Sequence, residues 1–117
     1  MLRFWRATVN SRNGLAFAIK SEQAIREELG ALILALPLAW LIGATWMRRI
    51  ELLAAVALVL IVELLNTAIE KLADRLTMDH DPQIGRVKDM GSAAVGVALV
   101  MAGLFWLFAL AERMGAF

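Results

Sequence analysis

The 117-residue sequence contains no cysteine and a single histidine, His80. Without cysteine there is no disulfide framework and no thiolate-based zinc or redox centre. One histidine cannot build a histidine cluster. A metal bound here has to be a hard one held by carboxylates, and Mg2+ is the natural candidate. Charge of one sign is lacking too. Twelve basic residues stand against 11 acidic ones, a net charge of +1, so the basic footprint of a nucleic-acid-binding protein is missing and no nucleic-acid partner is expected. There is no Walker A loop and no kinase glycine-rich loop, so these residues do not by themselves assign ATP. No internal repeat or low-complexity tract occurs. Residues 1–20 lack the sustained apolar core of a signal peptide.

What the chain has in quantity is apolar surface. Hydrophobic residues make up 61% of it and the mean hydropathy is +0.69, too high for an ordinary soluble domain. The length allows one domain, 1–117, and three membrane helices at about 20 residues per crossing. In residues 1–20, Phe4, Trp5, Val9, Leu15, Phe17 and Ile19 alternate with Arg3, Arg6, Arg12 and Lys20. That pattern predicts an amphipathic helix lying on anionic headgroups, with a break near Asn13-Gly14. A helix packed on the bundle is the competing reading. Ser21 is a candidate N-cap for the next helix.

The first span is expected over about 26–47. It is charge-free from Leu29 to Met47, with Pro37 as a kink site and Trp40 and Trp46 toward its far end. Arg48-Arg49-Ile50-Glu51 interrupts the apolar sequence, and a second span follows over about 50–76. Asp79-His80-Asp81-Pro82 is turn chemistry. A third span is expected over about 86–113, charge-free from Met90 to Ala111. The predicted fold is therefore an all-α membrane bundle with a surface helix and three transmembrane helices. With three spans, nine basic residues fall on the side of the N-terminus and the second loop, leaving Arg48, Arg49 and Arg113 on the other. The positive-inside rule then places the N-terminus in the cytoplasm.

Within the second apolar run lies Glu63-Leu64-Leu65-Asn66-Thr67-Ala68-Ile69-Glu70. Glu63 and Glu70 are two helical turns apart, about 10 Å, and share a face with Asn66 and Asp74. Polar groups in such surroundings usually face a bundle interior, a cavity or a site. The expected topology brings this stripe level with Glu22, Glu28, Lys88, Asp89, Gly91 and Ser92. Paired carboxylates, an amide, a lysine and a helix N-terminus are the parts of a phosphoryl-transfer site. Competing structural readings exist for most of these residues. Glu70, Lys71, Asp74 and Arg75 also fit a solvated helix end, Glu22 and Arg26 an i,i+4 pair, and Gly91 to Ala94 a small-residue packing face. Glu63 fits such readings least, because it lies deepest in apolar sequence.

The segment from Glu63 to Glu70 resembles the Glu-x-x-Asn-[Ser/Thr]-Ala-Ile-Glu signature of the prokaryotic integral-membrane diacylglycerol kinases. Gly85-Arg86-Val87-Lys88-Asp89-Met90-Gly91-Ser92-Ala93-Ala94 resembles that family's second signature. The separation of the two blocks, the spans and the surface helix match as well. The resemblance implies a homotrimeric enzyme of the bacterial inner membrane with active sites shared between subunits. It implies Mg-ATP as donor and a lipid alcohol as acceptor. Carried over by position, Glu63 is implied as general base on the lipid hydroxyl, Asn66 as the group that orients Glu63 or the acceptor, and Glu22 and Glu70 as Mg2+ ligands. Lys88 is implied as a γ-phosphate contact, Asp89 as part of the nucleotide site with Arg3 and Glu28 at its edge, and Ser92 as a substrate contact beside Glu63. Related undecaprenol kinases tend to carry Ala-Ala after the Lys-Asp pair, so Met90-Gly91-Ser92 favours diacylglycerol. The loop from Thr77 to Ile84, with His80 and Pro82, departs from the family's usual run. Two readings from other classes are a small ion or proton transporter subunit using Glu63 and a non-catalytic scaffold. The first fits poorly with polar groups gathered at one end. The second leaves Glu63 unexplained.

Overall fold

A computed structural model describes residues 1–116, and all four elements found there are helices: α1 (Leu2–Ser21), α2 (Gln23–Ile42), α3 (Trp46–Leu76) and α4 (Pro82–Arg113). α1 is continuous through Asn13-Gly14, so the expected break is absent. Thr8 and Ser11 return their hydroxyls to the carbonyls of Phe4 and Ala7, so neither offers the backbone a way out of the helix. Only Ala18 of α1 is buried, while Leu2, Phe4, Trp5 and Phe17 are exposed. Ser21 is the last residue of α1 and does not cap α2. The corner is Glu22, in extended conformation, whose N–H closes α1 on the Ala18 carbonyl. Arg26 completes that end by donating to the carbonyls of Ile19 at 2.7 Å and Lys20 at 3.2 Å. A cation over the orphan carbonyls of a helix C-terminus is favourable.

α2 runs through Pro37 and stops at Ile42, where Gly43 donates to Ala39. The run from Leu29 to Met47 is therefore not one helix. Thr45 caps a new helix by accepting from the Arg48 N–H, and α3 begins at Trp46, ahead of the Arg48-Arg49 break. The third boundary also moves. Asp81 accepts from the N–H groups of Gln83 and Ile84, and Pro82 takes the first helical position, so α4 starts at 82. The proline that looked like turn chemistry is a helix start.

α3 and α4 are each long and apolar enough to cross a membrane. At about 1.5 Å per residue, the 31 residues of α3 extend roughly 46 Å, beyond a hydrocarbon core of about 30 Å. The apolar part of α2, Leu29 to Ile42, is shorter than such a crossing. α3 and α4 form an antiparallel hairpin. Asp74 meets Lys88, Asn66 meets Gly91, the Leu52 carbonyl accepts from Trp106 Nε1 at 3.2 Å, and Arg48 meets Glu112. α2 packs antiparallel on α3, with Ala39, Leu52 and Ala109 at the centre and Ile42, Leu53 and Trp106 around them. Buried positions are mostly small: Ala35, Ala39, Ala55, Ala73, Gly91, Ala98 and Ala109. Small residues let helix backbones approach where lipid offers no hydrophobic gain for association. Of the expected packing face only Gly91 is buried; Ser92, Ala93 and Ala94 are exposed.

Candidate active site

The antiparallel register collects polar groups at one end of the bundle, the end of the α1–α2 corner and the α3–α4 loop. Asn66, buried on α3, donates Nδ2 to Glu70 Oε1 at 3.2 Å, one turn further along. A carboxylate can only accept, so the orientation of the amide is settled by chemistry. Asn66 Oδ1 then points away from Glu70, against Gly91, and has no hydrogen-bond partner. A buried acceptor left unsatisfied costs about 1–3 kcal/mol. Such an atom calls for a functional explanation.

Glu63 is half-buried and makes no hydrogen bond or ion pair among the described residues. The charge that acts on it is the Glu70 carboxylate on α3, and Glu63 itself acts, with Glu27, on Glu28 of α2. A purely structural acid in apolar sequence is ordinarily paired. Glu63 instead lies among like charges with no cation beside it.

Two ion pairs flank this row of acids. Glu22, at the corner, takes the Lys71 ammonium at 2.8 Å, in place of the i,i+4 pairing with Arg26. Lys88, near the start of α4, is held by Asp74 at 2.6 Å. Arg3, Asp89 and Ser92 are exposed and make no ion pair or side-chain hydrogen bond among the described residues, so one protomer does not bring them into the cluster. Lys71 is a residue that sequence reasoning left in the solvated helix end, and Asp74 fits both that end and the polar stripe; their ion-pair partners are not legible in the sequence, since they lie 49 and 14 positions away.

Two cavities adjoin the row. One of about 490 Å³ lies between α1 and α3, lined by Leu15, Phe17, Ala18, Leu64 and Ala68, with Lys71 at its rim. It is apolar, and on α3 it is bounded by the face that carries Leu64, Thr67 and Ala68. The other, about 330 Å³, is formed by the loop from Thr77 to Asp81 with Ile84, Gly85 and Lys88, and it includes His80.

No group of three acidic or histidine side chains suited to a metal occurs among the described residues. Mg2+ in phosphoryl-transfer sites is usually held by one or two carboxylates plus substrate phosphates and water, not by an all-protein cage. Glu22 and Glu70 supply two carboxylates, and Glu70 is already oriented by Asn66. The donor set thus fits Mg2+ delivered on a polyphosphate.

The sequence profile of the prokaryotic diacylglycerol kinases matches residues 9–110 of this chain. The chain belongs to that family. It is a lipid kinase, and its relatives agree along nearly its whole length. The diacylglycerol kinase of Escherichia coli K12 is 39% identical over 113 residues, 97% of this chain and 93% of that one. Those of Haemophilus influenzae and Pseudomonas aeruginosa are each 38% identical, over 86% and 89% of this chain and 85% of their own lengths. Membership of this family of membrane enzymes implies a lipid substrate and a nucleotide as phosphoryl donor.

Proposed function

We propose that this kinase transfers the γ-phosphate of Mg-ATP to the hydroxyl of diacylglycerol and so makes phosphatidic acid. The observation that carries the proposal is the state of Glu63, a half-buried carboxylate with no ion-pair partner among the described residues, set in the apolar sequence of α3. Glu63 accepts the proton of the lipid hydroxyl as that oxygen forms its bond to the γ-phosphorus. The bond from phosphorus to the bridging oxygen breaks, and ADP leaves with the electron pair. Asn66 orients Glu70 through its Nδ2, while its Oδ1 stays buried against Gly91. Glu22 and Glu70 are the proposed Mg2+ ligands. Bound there, Mg2+ neutralises phosphate charge. Lys88 leaves Asp74 for the γ-phosphate. A general base accounts for about 10²- to 10⁴-fold of the rate; alignment and charge neutralisation must supply the rest.

Arg3, Asp89 and Ser92, unpartnered in the protomer, support a homotrimer in which neighbouring subunits complete each site. Glu28, which feels the charge of Glu63, would then lie at the edge of the nucleotide site. The distribution of basic residues supports an inner-membrane enzyme with a cytoplasmic N-terminus, α2 crossing with the help of the Gly43–Thr45 turn.

The test is transfer of labelled phosphate from ATP in mixed micelles with Mg2+, offering diacylglycerol and undecaprenol separately to wild type and Glu63→Gln. Labelled phosphatidic acid from wild type, reduced at least about 100-fold in the variant, is the expected result. Labelled undecaprenyl phosphate instead would change the acceptor and keep the mechanism. Transfer undiminished in Glu63→Gln would remove it as base. Glu63-dependent ion flux in liposomes without transfer would favour a transporter.

A further inference from the structure

Lys71 is a charged group of the cluster for which the reaction above has no use. Its ammonium sits 2.8 Å from Glu22 Oε1 and 5.2 Å from the centre of the Phe17 ring, at the rim of the α1–α3 groove and next in the chain to Glu70. It thus pairs directly with one of the two carboxylates proposed for Mg2+. Both partners are substantially exposed, 45% for Lys71 and 30% for Glu22. Ion pairs of that exposure hold weakly and exchange readily.

Once Glu22 turns to Mg2+, the same carboxylate would have a divalent cation on one side and an ammonium on the other. The ammonium is then repelled. The strongest anion within its reach is the phosphate chain that arrives with the metal. Phosphate oxygens make strong charge-assisted bonds to lysine. The Phe17 ring stabilises the cation at this corner whichever anion it pairs with. We propose that Lys71 is a second nucleotide-phosphate contact, parked on Glu22 until Mg-ATP binds and then transferred to a phosphate. Lys71 would serve the metal side of the phosphate chain and Lys88 the loop side. This rests on the lipid-kinase reading of the site.

The experiment compares wild type, Lys71→Met and Lys71→Arg in mixed micelles. Methionine keeps the stem against Phe17 and removes the charge; arginine restores it. Steady-state constants for Mg-ATP and for lipid are measured, together with binding of a fluorescent ATP analogue in the presence of Mg2+ and the thermal midpoint. The expected result for Lys71→Met is a rise of about tenfold in the nucleotide KM and in the analogue Kd. The lipid KM stays put, kcat moves less than KM, and Lys71→Arg recovers most of the loss. Nucleotide constants unchanged in Lys71→Met overturn the inference. So does a parallel rise in both KM values with a lowered midpoint, which marks a corner latch only. Wild type that binds the analogue but phosphorylates no lipid would defeat the kinase reading, and the analogue Kd would still decide the role of Lys71.

Discussion

Replacing Gly91 by alanine tests the contact on which the cluster is built. A Cβ at Gly91 would fall on Asn66 Oδ1, well inside van der Waals distance, with Asn66 Cγ at 3.2 Å behind it. Either α4 moves away from α3 or the amide turns. Overpacking of this kind costs about 1–3 kcal/mol. Turning the amide breaks the 3.2 Å bond from Asn66 to Glu70, and a hydrogen bond to a charged group contributes about 1.5–3 kcal/mol. Both routes lead to an expected loss of about 2 kcal/mol. Displacing a positioned group by about 1 Å reduces turnover by about 10²-fold, so Gly91→Ala should lower the rate by about 10- to 100-fold. Stability would be read from unfolding in micelles by titration with dodecyl sulfate. Tryptophan fluorescence is the probe, read in a background with Trp5, Trp40 and Trp46 replaced by phenylalanine, because the Trp106 indole donates across the same helix pair to Leu52. The decisive step is a cycle with Asn66→Ala. That change removes the colliding atoms, so Gly91→Ala should cost less than about 0.5 kcal/mol in its background. An equal cost in both backgrounds, or a fully active and stable single variant, would refute the reasoning.

Other expectations follow from single contacts. Trp106→Phe removes the indole donor to the Leu52 carbonyl beside the buried core and should cost about 1 kcal/mol, read in a dodecyl sulfate titration followed by far-ultraviolet circular dichroism. Phosphoryl transfer should change little, since Trp106 lies toward the end of the bundle remote from Glu63. Asp81→Ala removes the side chain that accepts from Gln83 and Ile84 at the start of α4 and should cost about 0.5–2 kcal/mol. Faster amide exchange confined to the first turn of α4 would locate the effect; exchange spread through α3 would argue against it.

The polar stripe was legible in the sequence because a helix converts spacing into shared faces. Glu63, Asn66 and Glu70 lie on one side of α3 whatever surrounds it, and an acid in an apolar run is conspicuous. The two signature blocks were legible for the same reason: each is local. Helix boundaries were less so. Gly43 ends α2 inside a charge-free run, and Asp81-Pro82 opens α4 inside what looks like a turn; in both cases backbone capping outweighed hydropathy. The position of Ser21 shows the same competition, with the Arg26 guanidinium, not a hydroxyl, closing the corner.

Composition and periodicity alone determined that this chain is helical, apolar and built around acids at one end, because those properties depend on residues within a few turns of each other. Tertiary structure decided who faces whom. The antiparallel register of α3 and α4 set Lys88 on Asp74 and Gly91 on the Asn66 amide, and the turn at Glu22 set that carboxylate on Lys71. Those pairings join residues 14 to 49 positions apart. They arise where small side chains allow the backbones to approach, a property of packed helices that no single helix carries.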